Sequence, residues 1–346
     1  MKDELNLVWA SDDNYAFLAG VSLTSVLINN QDYEIINVWI LDDNISMKEK
    51  EQLKSCVARF DRNIAFIDTQ KSLEKIKNLN ARSWGKAKSY SAYSRLFLAD
   101  MLQEYDVERV IYIDCDIVFD GSIREIAEWN LENKPLAMAI DYNRLEIREL
   151  LNLHFDDRYY NSGLIVMDLT RWKECQCTER ILEHMTCVGA NYPFVDQDLI
   201  NCVLKNGITL LPLKYNVNPR VMQYSYKHLC KIYGMNEKNY YSQSEYDEVR
   251  REKPVGYHCS DPAAGRPWEE NSNHIYTEIW NRYFEKSVWY GNYTKKAYKR
   301  IRLVMVQQFL EKILPGWLYV RVLRYAAKKS MKKLIIKYRK LNSIKS

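Results

Sequence analysis

The 346-residue chain is 47% hydrophobic, enough for a sizeable core, and its length fits one large α/β domain with an appendage. Its 11 glycines form neither a phosphate loop nor a G-x-G-x-x-G turn, which argues against P-loop NTPases and most dinucleotide enzymes. The net charge of +5 is uneven: from Tyr293 onward sixteen Lys and Arg face one acid, Glu311, so the tail carries about +15 and the body about −10.

Leu5 to Ala10 reads as a first strand, followed by the polar loop Ser11-Asp12-Asp13-Asn14-Tyr15. Phe17 to Asn30 has apolar residues at helical steps. Ile35 to Leu41 reads as a strand, Met47 to Phe60 as a helix, Ile64 to Ile67 as a strand. This alternation predicts a parallel sheet with crossover helices. Ser89 to Leu102 is expected as one helix carrying Arg95, and Val110 to Ile113 as a buried strand. Ile123 to Trp129 reads as a short helix and Leu136 to Ile140 as a strand ending at Asp141. Tyr159 to Gly163 reads as a turn into a strand, Leu164 to Met167. Thr170 to Cys187 is one amphipathic helix, and another runs from Phe194-Val195-Asp196-Gln197-Asp198 through Leu204. Ile208 to Pro212 and Pro254 to His258 read as strands, with the Tyr- and Lys-rich run between them unassigned.

Chemistry concentrates after the strand Val110 to Ile113. Asp114 and Asp116 are two apart, so in extended chain they share a side while Cys115 faces away. Two such carboxylates repel unless a cation lies between them, and ligands of open α/β sheets bind at the carboxyl ends of strands. A divalent metal with a phosphate ligand fits; an ordinary strand end followed by a turn is the alternative. The haloacid-dehalogenase pattern fits poorly, because its carboxylate pair lies near the chain start. The loop Ser11 to Tyr15 offers hydrogen bonds and a stacking ring for a pyrimidine, or simply a helix cap. His258 is a third metal ligand or a structural histidine. Arg266 is a phosphate clamp or a surface cation. Asp196-Gln197-Asp198 orients sugar hydroxyls or caps its helix. Mixed imidazole and carboxylate ligands favour Mn2+, with Mg2+ as the alternative.

Taken in order, these pieces resemble the family-8 retaining glycosyltransferases, among them glycogenin and the bacterial enzymes that add galactose or glucose to lipopolysaccharide and lipooligosaccharide. The resemblance spans roughly residues 5 to 270. It rests on Trp9-Ala10-Ser11-Asp12-Asp13-Asn14-Tyr15, Ala92-Tyr93-Ser94-Arg95-Leu96, Val110 to Asp116, Tyr160-Asn161-Ser162-Gly163-Leu164, Asp196-Gln197-Asp198, Tyr215-Asn216, and His258 with Arg266-Pro267-Trp268. It implies an A-type glycosyltransferase fold: a Rossmann-like mixed sheet flanked by helices. It also implies a UDP-hexose donor and Mn2+. Ala10, Asp12, Asp13, Asn14, Tyr15, Cys115 and Arg266 would serve the nucleotide, and Asp114, Asp116 and His258 the metal. Arg95, Asn161, Asp196 and Gln197 would hold the donor sugar, with Gln197, Asp198 and Asp141 as the catalytic set. The loop from His258 to Arg266 is longer than the family's, ends in Arg rather than Lys, and carries Asp261, an odd neighbour for a diphosphate.

The expected organisation is a transferase domain over 1–292 and a basic amphipathic helical tail over 293–346. The expected activity is hexosyl transfer from UDP-galactose or UDP-glucose to a glycan or glycolipid, such as cell-surface polysaccharide or lipopolysaccharide. A decayed sugar-binding scaffold is the alternative. The acidic body and the absence of a nucleic-acid motif exclude RNA and DNA as partners. Eight scattered cysteines without C-x-x-C read as reduced thiols of a cytosolic protein. No apolar signal core opens the chain, and no run reaches the ~18 residues of a membrane span. The tail stripes Ile301, Val304, Met305, Phe309, Ile313 and Leu318, Val322, Tyr325, Met331, Leu334, Ile335, Tyr338 carry Lys299, Arg300 and Arg302 beside them. They predict peripheral attachment to the anionic inner face of the cell membrane, with a helix packed on the protein's own acidic body, or one that dimerises, as the alternatives.

Overall fold

The computed structural model describes residues 3–81, 89–142, 145–260, 265–297, 305–306, 309–310 and 313–343. Lys299, Arg300, Ile301, Arg302 and Val304 of the tail, and Asp261 of the loop after His258, lie outside the described residues. The first half alternates as the hydrophobic spacing predicts: β1 (Glu4–Asp12), α1 (Ala16–Asn29), β2 (Ile35–Asp43), α2 (Met47–Ala58), β3 (Asn63–Asp68) and α3 (Gln70–Asn78). A 3-10 helix, Ser91–Phe97, then leads into α4 (Leu98–Met101), β4 (Arg109–Ile113), β5 (Ile117–Phe119), α5 (Arg124–Ala127) and β6 (Leu136–Ile140). After α6 (Leu145–Leu150) come β7 (Tyr160–Asp168), α7 (Leu169–Glu174), α8 (Cys177–Cys187), α9 (Val195–Leu204) and β8 (Ile208–Leu210). The Tyr- and Lys-rich run forms α10 (Pro219–Gln223), α11 (Tyr226–Tyr233) and α12 (Gln243–Glu252). The chain continues through β9 (Gly256–His258), β10 (Glu269–Glu270), α13 (Thr277–Phe284), β11 (Lys296–Ala297) and α14 (Gly316–Ser343).

The central sheet runs in the order β3-β2-β1-β4-β7-β6-β8. It is mixed, not wholly parallel: β7 pairs antiparallel with both β4 and β6, and the other pairings are parallel. β7 returns antiparallel beside β6 through a connection in which the described helix, α6, is only six residues long. The pleat divides the core. Val8 faces a cluster with Trp39, Tyr112 and Met138, while Leu7 and Trp9 face α1, α2 and α13. The helix expected over 89–102 is split because Ser94 Oγ and Arg95 Nε donate to the carbonyls of Ser91 and Ala92, at 2.6 and 3.0 Å, in competition with helical bonding. The helix expected over 170–187 breaks at Gln176, with φ 50°, which brings Trp172 Nε1 onto Thr178 Oγ1 at 2.9 Å.

The boundary expected at 292 runs through packed chain. Tyr293 stacks on Phe17 with ring centroids 4.0 Å apart, and α14 lies along α6 and α11. Met331, Leu334, Ile335 and Tyr338, expected on a lipid-facing stripe, turn toward the body, with Tyr338 1% exposed. Val322 and Tyr325 point outward. Among the described residues no helix is long and apolar enough to cross a membrane, and all eight cysteines are free thiols.

Candidate active site

The parallel strands β1, β4 and β6 end at one edge of the sheet, and β7, running the other way, begins there. Asp12, Asp114, Asp141 and Asn161 therefore meet at one cavity of about 420 Å³. His258 arrives from far along the chain on a separate two-stranded ribbon, where β9 pairs with β5 and His258 stands opposite Ile117. Cys259 N donates to Asp116 O at 2.8 Å and locks that register. Ligand atoms of Asp114, Asp116 and His258 all lie within 4.8 Å of one another. Gly163 leaves room for them: a Cβ there would lie 2.6 Å from His258 Cε1 and 3.0 Å from Asp114 Oδ2.

The side-chain amides are oriented by backbone groups that can only donate. Gly163 N–H donates to Asn161 Oδ1 at 2.9 Å, so Asn161 Nδ2 must face Asp141 Oδ2, 3.0 Å away. Asn216 Nδ2 donates to the same Asn161 oxygen at 2.9 Å, which leaves Asn216 Oδ1 to accept from His258 Nδ1 at 2.8 Å. That hydrogen bond fixes the ring with Nε2 facing Asp116 Oδ1, at 3.3 Å, where the nitrogen pairs with the carboxylate when protonated and could take a metal when neutral. In the same way Ser162 N–H donates to Gln197 Oε1 at 3.0 Å, so Gln197 Nε2 donates to Asp141 Oδ2 at 3.1 Å and Tyr159 OH at 2.9 Å. Tyr159 OH then donates to Asp198 Oδ1 at 2.7 Å.

Arg95 is 4% exposed and binds three elements together. Its guanidinium donates to Asp114 Oδ1 at 2.9 Å and to Ser162 O, and stacks over Tyr112 at 4.1 Å. Asp196 Oδ2 lies 3.2 Å from Arg95 Nε, but that N–H donates to Ala92 O. The buried Asp196 Oδ2 is therefore held by the charge of Arg95, while the residue itself lines the cavity. Burial, only partly offset by Arg95, raises Asp196 to about 6. Burial raises Asp198 to about 7 against the donors Phe194 N and Tyr159 OH. Asp116 goes the other way: burial opposes its charge, but His258 and Arg266 outweigh it and bring the carboxyl to about 2. Five aspartates and three arginines line the cavity, so its described wall is net acidic and suits a cation.

Ala10, Asp12, Tyr15, Cys115 and Arg266 line the cavity beside the acidic pair. Asp12 Oδ1 accepts from Asn14 N and Tyr15 N at 3.0 and 3.1 Å, closing the turn that presents the Tyr15 ring. Cys115 Sγ donates to Ala10 O at 3.2 Å, joining β4 to β1. Arg266 reaches Asp116 Oδ2 at 3.5 Å and lies over Trp268 at 5.5 Å. Three expected residues are not in the cavity wall. Asp13 turns away to accept from Ser46 N at 2.9 Å, and Asn14 is exposed beside it. Asp198, expected in the catalytic set, is fully buried behind Gln197, where it accepts from Phe194 N at 2.7 Å and from Tyr159 OH. Asn161, Asp196, Gln197 and Asp141 do line the cavity.

Sequence reading missed Tyr112, Tyr142, Ser162, Phe194, Asn218, Arg220 and Ser260 in the wall. Strand alternation from Asp114 back to Tyr112 contained the first of these. Ser162 is hidden by the turn expected over Tyr159 to Gly163, whereas β7 already begins at Tyr160. Asn218 and Arg220 sit at the start of the short helix α10 and Ser260 follows β9, places that no periodicity reveals.

The profile of glycosyl transferase family 8 matches residues 6–246. The chain is similar to general stress protein A of Bacillus subtilis, with 24% identity over 294 residues, covering 83% of this chain and 96% of that protein. It is similar to the lipopolysaccharide 1,2-glucosyltransferase of Escherichia coli K12, with 28% identity over 223 residues, 61% of this chain and 62% of that enzyme. In three dimensions it is similar to galactosyltransferase LgtC in complex with donor and acceptor sugar analogs: TM-score 0.67 at 22% identity, over 84% of this chain and 100% of that one. The mixed sheet with its acidic edge, and a family match across most of the chain, make this protein a member of glycosyl transferase family 8.

Proposed function

We propose that the enzyme transfers galactose or glucose from its UDP derivative to a glycan or glycolipid acceptor, with retention of the anomeric configuration and with Mn2+. The observation that carries this reading is the position of the Asp114, Asp116 and His258 cluster between two walls of different chemistry. On one side Asp12 and the Tyr15 ring suit a pyrimidine nucleoside. On the other, Arg95, Asp141, Asn161, Asp196 and Gln197 offer donors and acceptors suited to a hexose. Asp114, Asp116 and His258 would hold the divalent cation, which would supply positive charge for a departing diphosphate. Arg266, at the same corner, is placed to take a share of that charge bidentately. Gln197 is fixed by Ser162 N and Asp141 and holds the sugar rather than attacking it, since an amide is a poor nucleophile. Same-face attack by the acceptor, with the departing phosphate oxygen taking its proton, is the mechanism this geometry favours.

The exposed face of α14 supports attachment to an anionic membrane surface. Arg321, Arg324, Lys328, Lys329, Lys332, Lys333, Lys337 and Lys340 point outward beside Trp317, Val322, Tyr325 and Ile336, and α14 contains no acid. Such basic groups gain about 1 kcal/mol each near anionic lipid. Cytoplasmic residence at the inner leaflet belongs to the same proposal, and it places the cavity near lipid-linked acceptors. The deciding experiment is a screen of UDP-sugars with Mn2+, read as UDP release with and without EDTA. One UDP-hexose should be hydrolysed, and EDTA should stop it until Mn2+ is restored. Release from none of them indicates a sugar-binding scaffold, and full activity in EDTA removes the metal from the mechanism.

A further inference from the structure

The last turn of α14 touches the chain that leads into the donor-sugar wall. Asn342 forms a two-way pair with the backbone of Asn191: Asn191 N donates to Oδ1, and Nδ2 donates to Asn191 O, both at 3.1 Å. The approach is close enough that a Cβ on Gly189 would lie 2.3 Å from Asn342 Cγ, and Gly189 has φ 146°, which side chains rarely adopt. Four residues past Asn191, Val195 has φ 38°, a conformation a β-branched residue holds only when its surroundings enforce it. Asp196 and Gln197 follow directly. The segment is gripped at both ends. Asp198 Oδ2 accepts from Phe194 N on the inner side, and Asn342 holds Asn191 on the outer side. In the turns of α14 just before Asn342, Ile335 and Tyr338 are buried and Arg339 meets Glu149 at 2.9 Å, so the helix end is itself fixed on the body.

We infer that Asn342 is a positioning residue for the reaction: it holds Asn191 so that Val195 keeps its left-handed turn and Gln197 stays on the donor sugar. The inference rests on the UDP-hexose reading of the cavity. Asp12 and His258, on the nucleotide side, lie on other elements, and Arg95 joins Asp196 to Asp114 across the cavity.

Full-length Asn342→Ala, Asn342→Asp and Gly189→Ala test it. Without the grip, turnover in Mn2+-dependent UDP-hexose hydrolysis should fall about tenfold to a hundredfold, the scale of an ångström's misplacement. Calorimetric affinity for UDP with Mn2+ should stay within about twofold, because a loss confined to the transition state leaves ground-state binding alone. Asn342→Asp keeps the acceptor for Asn191 N and should fall between wild type and Asn342→Ala. Hydrogen exchange at the amides of residues 195–197 should quicken in all three variants. Unchanged turnover and exchange, or parallel loss of turnover, UDP affinity and melting temperature, would overturn the inference and make Asn342 a general brace. If wild type hydrolyses no UDP-hexose, the donor reading fails while the exchange comparison still decides the grip.

Discussion

Gly163→Ala isolates the geometry of the proposed metal corner. Gly163 lies in β7 and is not among the glycines with positive φ, so alanine fits the backbone without strain. The added methyl would lie 2.6 Å from His258 Cε1, 2.9 Å from Asn161 Oδ1 and 3.0 Å from Asp114 Oδ2. Carbon atoms rest at roughly 3.5–4.0 Å, so the imidazole must retreat by about 1 Å. It cannot do so freely, because Asn216 holds Nδ1 at 2.8 Å and Cys259 N holds the ribbon to Asp116 O. Metal ligands tolerate only about 0.2 Å of misplacement, so Mn2+ affinity should fall about 10–100-fold, the range seen when ligand orientation is lost. Overpacking should cost about 1–3 kcal/mol of stability, a loss that leaves a domain of this size folded. The assay is calorimetric Mn2+ titration of the ligand-free enzyme, with urea unfolding alongside. Mn2+ binding within about twofold of wild type in a folded Gly163→Ala protein would refute the placement of the metal between Asp114 and His258.

Gln197→Ala should lower turnover about a hundredfold while UDP affinity changes little, since its contacts mature at the reacting sugar; an equal loss of UDP binding would make it structural. Asp198 has a raised folded pKa, about 7 against 3.8. Its stabilising contribution is therefore complete below pH 3.8 and is lost as pH rises through 7, a span worth about 4 kcal/mol. Asp198→Asn removes that slope but strands the Tyr159 hydroxyl proton, at about 1–3 kcal/mol. Its deficit against wild type should be larger at pH 5 than at pH 8 in urea unfolding, and a pH-independent gap contradicts the assignment. The full-length protein should sediment with anionic vesicles at low salt and release toward physiological ionic strength, where the screening length is about 8 Å; indifference to such vesicles at low salt defeats the membrane proposal.

Local sequence signals read β1, β2, β4 and β6 well because each is a largely apolar run that ends in or is followed by Asp. They placed Asp114 and Asp116 on one side of the chain by strand geometry alone. Other features depend on long-range pairing, which local periodicity does not carry. The reversed direction of β7 is one, and the ribbon that delivers His258 is another. Residue type also misled where a polar side chain had a local duty. Asp13 and Asp198 look as reactive as Asp12 and Asp196, yet one holds Ser46 N and the other Phe194 N. In the tail, the apolar stripe was legible but its partner was not. Met331, Ile335 and Tyr338 satisfy the same amphipathic pattern whether they meet lipid or, as here, are covered by the body on which α14 lies.

The organisation of the site follows from the direction of β7. A parallel strand in that place would bring its C-terminal end to the cavity. Running antiparallel between β4 and β6, β7 instead brings its first residues there, and Gly163 O accepts from Asp114 N at 2.7 Å to complete the join. Successive N–H groups of a strand point to opposite sides, so Ser162 N and Gly163 N serve different amides, Gln197 and Asn161. Those two backbone protons fix the polarity of everything behind them: Asn161 toward Asp141, Asn216 toward His258, and Gln197 toward Tyr159 and Asp198. A one-residue slip of β7 would exchange the two donors, point Gly163 away from His258 and set a serine Cβ against the metal corner. The register is therefore as much a part of the active site as the carboxylates. Five ladder pairs, from Arg109 opposite Asp168 to Ile113 opposite Leu164, hold it along β4.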